Sequence, residues 1–205
     1  MTVKFIQYYD ILSGKDEEYR NFISKSYIPG VNETGLLEIV GSWYLASGEG
    51  PYHIMEGVAD SVKSVHRLLL LDDFKKLNHL LHFLITNYKT KIMVPMGTIE
   101  SQLPRETNFR FNHHYDINYA RYDNYVRFIR KEHFPAMEKL GINMIGGWYV
   151  ALGPGPNIVV EGSCASVKRI LEVIGSKEYG ELTSRLLAMV DGYGSKILVP
   201  TGLVP

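Results

Sequence analysis

The sequence predicts an α+β chain made of two tandem βαββαβ repeats packed sheet to sheet. Three observations carry that expectation. First, IVGSWYLASGEGP at 39–51 returns as MIGGWYVALGPGP at 144–156. Second, Trp43 and Trp148, Glu56-Gly57 and Glu161-Gly162, Ser61-Val62-Lys63 and Ser166-Val167-Lys168, and Lys91-Ile92 and Lys196-Ile197 all stand 105 residues apart. Third, the offset upstream is 106, for Tyr9-Asp10-Ile11 with Tyr115-Asp116-Ile117, Tyr19 with Tyr125 and Pro29 with Pro135. One residue is therefore gained or lost between Gly35 and Gly41. Matches in order along nearly the whole chain mark a duplication. The repeats run 1–99 and 108–205, joined by a polar linker at 100–107.

Each repeat reads in the same order. VKFIQYYD is aromatic and β-branched and predicts a strand. Tyr19, Phe22, Ile23 and Tyr27 follow at helical spacing, as do Tyr122, Tyr125, Val126 and Ile129 in the second repeat. Pro29 and Pro135 are expected to stop these helices, because proline removes a backbone donor and its ring crowds the preceding turn. The repeated phrase gives a strand, a Gly/Pro turn and a third strand, hence a hairpin. Ser61 and Ser166 are expected N-caps. The second helical region breaks near Leu71-Asp72 and near Gly175-Ser176, and continues through DDFKKLNHLLHFLI or KEYGELTSRLLAMV. TKIMVPMG and SKILVPTG close the repeats as last strands.

This is the ferredoxin-like order. Helices cover one face of a four-stranded antiparallel sheet, and the other face needs a cover that the second repeat supplies. The pattern resembles the dimeric α/β-barrel superfamily, with both protomers fused in one chain. YVRFIRKEHFPAMEKLGI and the broken helix with SKEYGEL are similar to EthD-type and NIPSNAP-type members. The resemblance implies a single-chain dimeric α/β barrel. It leaves function open, because that superfamily includes cofactor-free monooxygenases, isomerases, haem proteins and members without known activity.

Composition excludes several classes. Lys plus Arg and Asp plus Glu both number 22 in 205 residues, so no basic excess points to nucleic acid. The single Cys164 forms no intrachain disulfide, which suits a reducing compartment. The N-terminal residues lack a signal-like apolar run, and LLLL at 68–71 is too short to span a bilayer. The expectation is a cytoplasmic protein with no membrane or nucleic-acid partner, a monomer or homodimer. Its long edge strands are expected to be open to further pairing.

Residue alternation on the strands selects the candidate site. On the third strand, small Gly57, Ala59, Gly162 and Cys164 suit close helix packing, so Glu56 and Glu161 are expected to face the other sheet. Buried there, a carboxylate is either a general base raised in pKa or half of an ion pair, for which Lys91 and Lys196 are the expected partners. On the first strand, Lys4, Ile6, Tyr8 and Asp10 become Arg110, Asn112, His114 and Asp116. Asn112 and His114 are the polar residues that only the second repeat has, and could orient or deprotonate a ligand. His133, where the first repeat has Tyr27, ends a helix and matches a position where the resemblance implies a histidine. Glu161, His114 and His133 are thus the candidate catalytic residues. Tyr8, Trp43, Glu56, Asn112 and Trp148 are the candidate ligand-binding residues.

His79 and His82 have i, i+3 spacing, yet no third ligand is evident, and no metal is expected. GEGP and GPGP are read as hairpin turns rather than phosphate loops. The expectation is a small apolar or aromatic ligand and cofactor-free acid/base chemistry of isomerase or monooxygenase type. Two alternatives stay open: a non-catalytic binding or assembly module with a filled barrel, and a haem-binding barrel with His133 or His114 as axial ligand.

Overall fold

The computed structural model describes residues 2–97 and 108–204. The expected linker at 100–107 lies outside the described residues. The first repeat comprises β1 (Val3–Ile11), α1 (Asp16–Phe22), a π-helical turn (Ile23–Tyr27), α2 (Ile28–Glu33), β2 (Glu38–Ser47), β3 (His53–Ala59), α3 (Val62–Leu70), α4 (Asp72–His82) and β4 (Ile85–Pro95). The second comprises β5 (Phe109–Ile117), a 3-10 turn (Tyr119–Arg121), α5 (Tyr122–Phe128), a π-helical turn (Ile129–His133), α6 (Phe134–Lys139), β6 (Asn143–Leu152), β7 (Ile158–Cys164), α7 (Val167–Ile174), α8 (Lys177–Leu187) and β8 (Val190–Pro200).

Both prolines fall inside helical runs rather than ending them. Ile28 N–H reaches back to Ile23 O across the widened turn, and Pro29 and Pro135 occupy the first positions of α2 and α6. At a helix start the missing proline N–H costs nothing, so the chain stays helical to Glu33 and Lys139. The length difference between repeats sits just beyond. Residues 34–37 connect α2 to β2, whereas residues 140–142 connect α6 to β6. Ser61 and Ser166 cap α3 and α7 by accepting from Ser64 N and Arg169 N. The last strands begin earlier than expected. Ile85 is already paired with Ile11, so α4 ends at His82.

The strands close a barrel in the order β1-β3-β2-β8-β5-β7-β6-β4. Each repeat contributes four neighbouring strands, and the sheets join through β2–β8 and β4–β6. The expected open edges are therefore absent among the described residues: closure gives every strand two partners. The helices lie outside, over two separate apolar cores, one per repeat. A third, smaller core fills part of the barrel interior, with Ile6, Trp43, Leu45, Ile54, Met93, Trp148, Val159 and Leu198. Among the described residues no helix is long and apolar enough to cross a membrane.

The repeated phrase is the central hairpin of each repeat. A Cβ on Gly41 would fall 1.8 Å from the Trp43 ring, so glycine is needed for that indole to lie flat against its own strand. Asp10 accepts from Tyr52 N at 2.6 Å and Asp116 from Asn157 N at 2.8 Å, so each pins the base of a hairpin.

Candidate functional site

Glu56 and Glu161 both project into the barrel and are 5 % and 4 % exposed. Their partner is Lys4, not the expected Lys91 and Lys196. Lys4 Nζ, fully buried, lies 2.6 Å from Glu56 Oε1 and 2.5 Å from Glu161 Oε2. Lys4 shares a face of β1 with Ile6 and Tyr8, and the structure turns that face inward. What the sequence could not show is that the barrel's width lets one lysine bridge carboxylates from both repeats.

The cluster is woven across the two halves. Lys4 sits 4.3 Å from the centre of the Trp148 ring, and the Arg110 guanidinium sits 5.0 Å from that of Trp43. Trp148 Nε1 donates to Glu161 Oε2 at 2.8 Å, whereas Trp43 Nε1 donates to Asn108 O at 3.3 Å. Burial pushes the Glu56 carboxyl up, opposed chiefly by Lys4. With Lys4 and Trp148 on one oxygen, Glu161 is held as a fixed acceptor.

Above this cluster lies a cavity of about 300 Å³. Glu56, Glu161 and Arg110 line its floor, and Ile6, Tyr8, Trp43, Ile54, Val159 and Leu198 line its walls. Its mouth is formed by Asn112, His114, Lys91 and Lys196, with Glu49, Gly50, Gly155 and Pro156 from the two hairpin loops. The volume lies at the lower end of the range for small-molecule sites.

The mouth is where the repeats differ. His114 replaces Tyr8, and its ring packs over β8 where the second repeat has Gly194 and the first has Lys89. A Cβ at Gly194 would fall 2.4 Å from His114 Nε2. Burial, then Lys196 and Lys91, lowers the His114 pKa to about 4, so its imidazole is neutral at pH 7. Lys91 and Lys196 each hold an ammonium 5.6 Å from the centre of the Tyr8 ring. Burial and the neighbouring Lys196 bring Lys91 down to about 8. Burial also lowers Lys196, while Glu49 pulls the other way. Burial, then Glu161 and Glu56, pushes the Tyr8 phenol well above its ordinary value.

Of the candidate residues, the structure thus brings Tyr8, Trp43, Glu56, Asn112, His114 and Glu161 around one cavity. Trp148 stands behind it, packed in the barrel core and bonded to Glu161. His133 is elsewhere. It lies between helix and sheet, 2 % exposed, with the rings of Phe128, Phe134 and His113 centred 5.8–6.0 Å away. A haem axial ligand needs an open side for the macrocycle, and this crowded position does not offer one. His79 packs edge-on to Phe83 and His82 to Tyr88, and among the described residues no group of three metal-ligating side chains converges. Cys164 is buried, its thiol directed at Gly141 O.

Sequence reasoning did not bring Lys91 and Lys196 to the cavity or Gly194 against the His114 ring. The lysines looked like ion-pair partners because they are duplicated. Gly194 carried a usable signal, since it breaks the repeat opposite another unrepeated residue, His114.

No family model matches the chain, and no curated relative matches it. Solved structures do. The "putative monooxygenase" of Lactobacillus acidophilus NCFM superposes with a TM-score of 0.64 at 14% identity, covering 97% of this chain and 93% of that one. An anthrone oxidase-like protein gives 0.60 at 9% identity, with 98% and 91% covered. A mutant chlorite dismutase of Candidatus Nitrospira defluvii in complex with cyanide gives 0.62 at 8% identity, with 98% and 91% covered. At these identities the likeness is one of fold, and by fold this chain is a dimeric α/β barrel whose two halves are fused in tandem.

Proposed function

We propose that the chain binds a small apolar or aromatic molecule in the barrel cavity and acts on it by cofactor-free acid/base chemistry, with His114 as the base. The observation that carries this reading is the cavity itself, with a neutral imidazole and Asn112 at its mouth and an apolar wall below. A neutral His114 can accept a proton from an activated C–H or O–H of the ligand, and with a pKa held at about 4 it is a weak base that suits only an acidic position. Returning it to a second atom completes an isomerisation; alternatively the resulting carbanion attacks dioxygen, the peroxide takes up the proton, and loss of a second C–H proton with cleavage of the O–O bond releases water and leaves a carbonyl. Asn112 orients the ligand, while the Lys4-bridged carboxylates keep the floor polar and fixed. His133 has no part in the step, because it lies on the other side of the sheet. The anthrone oxidase-like neighbour is consistent with an aromatic substrate class. The open cavity speaks against a barrel that serves only as packed scaffold.

The test is hydrogen–deuterium exchange at the acidic position of cyclic diketones and hydroxylated polycyclic ketones that raise the melting temperature. General-base catalysis contributes about 10²–10⁴-fold. His114→Phe is therefore expected to slow exchange by about a hundredfold or more while ligand binding persists. Equal exchange in the variant would remove His114 as the base.

A further inference from the structure

We infer that the molecule held in the cavity is a carboxylate, its charged group bound between Lys91 and Lys196 at the mouth and its aromatic body directed inward past Tyr8. The inference rests on the reading that the cavity binds a small molecule, and specifies the chemical class of that molecule.

The two lysines are copies of each other on β4 and β8, which lie on opposite walls of the barrel. Both reach the same place, each 5.6 Å from the centre of the Tyr8 ring, and both line the cavity. The nearest polar contact of Lys91 is Gly155 O at 3.5 Å. Among the described residues neither lysine has a carboxylate within ion-pair distance, whereas the exposed Lys15, Lys75, Lys76 and Lys177 each have one. Two half-buried cations thus face the same ring, and Lys196 acts on the charge of Lys91.

The charge balance agrees. Around the cavity stand Lys4, Arg110, Lys91 and Lys196 against Glu49, Glu56 and Glu161. Among the described residues the two mouth lysines stand against Glu49 alone, and the floor carboxylates are already engaged by Lys4. An anion would therefore settle at the mouth, away from Glu56 and Glu161. It would also relieve the repulsion that, after burial, lowers Lys91. The walls between mouth and floor are apolar, which suits a ring rather than a second charge. Placed this way, the carboxylate sets the ligand's register and brings the adjoining carbon within the zone faced by His114.

Calorimetric titration with benzoate and 2-naphthoate, each beside its uncharged amide, tests this. The carboxylates are expected to bind at least tenfold more tightly than benzamide and 2-naphthamide. Lys91→Gln and Lys196→Gln, both at half-buried positions, should erase that preference, lowering carboxylate affinity about tenfold more than amide affinity. NMR of the Lys91 ε-methylene should show its pKa rising when 2-naphthoate binds and staying put with the amide. Carboxylate and amide binding equally would overturn the inference and leave the aromatic-cavity reading standing. Failure of all four probes to bind would remove both.

Discussion

Single residues set both the stability and the chemistry of this barrel. Lys4 bridges two buried carboxylates from different repeats, and removing one partner of such a cluster leaves uncompensated buried charge, at a cost of about 3–5 kcal/mol. Lys4→Met is expected to lower the stability measured by urea unfolding by that amount. Adding Glu56→Gln and Glu161→Gln should restore part of it. Gly194→Ala probes the mouth instead. The added methyl would collide with the far end of the His114 ring, which can swing away. Proton exchange is expected to fall toward the His114→Phe level while the melting temperature moves by only a few degrees.

Three further histidines define an acid limit. Burial holds His53 at about 3, His113 at about 3 and His133 at about 4, against an ordinary value of 6.5. Their folded pKa values are depressed below the unfolded one, so the unfolded chain takes up protons first as pH falls. Stability is therefore complete above about pH 6.5 and is lost progressively down to pH 3–4; these three contribute a slope of about 4 kcal/mol per pH unit once protonated in the unfolded chain, and His114, also held at about 4, adds to it. Urea midpoints between pH 7.5 and 4 check this. His133→Tyr, which installs the residue of the first repeat, should flatten the slope by about a quarter.

At the scale of elements, the sequence was read most accurately where one local interaction dominates. Ser61 and Ser166 cap their helices because a side-chain oxygen three residues from an orphan N–H needs no tertiary help. Ser166→Ala is expected to cost about 1 kcal/mol, visible as a lowered urea midpoint. Local rules failed at Pro29 and Pro135. The widened π-helical turn before each proline lets the helix restart, and that turn is stabilised by what it packs against: Ile23 and Tyr27 in one repeat and Ile129 and His133 in the other are all buried. The start of β4 was missed for a related reason. Its first residues pair with the end of β1, a contact that no window of sequence contains.

The whole molecule behaves as one closed object. Strand edges that would be open in a single repeat are consumed by β2–β8 and β4–β6, and Lys4, Arg110 and both tryptophans tie the halves through the interior. The chain is expected to be monomeric by light scattering and to unfold in a single transition followed equally by tryptophan fluorescence and far-ultraviolet circular dichroism. Two separate transitions would show that the halves are independent. The sequence by itself determined the duplication, the βαββαβ order and the inward face of the third strand, because periodicity and repeat matching depend on neighbours along the chain. It also pointed to Asn112 and His114 as the asymmetric pair. Only the tertiary structure decided that Lys4 neutralises both glutamates, that Lys91 and Lys196 converge at the mouth, and that His133 stands apart. Those facts depend on distances across a barrel whose width is set by closure of all eight strands.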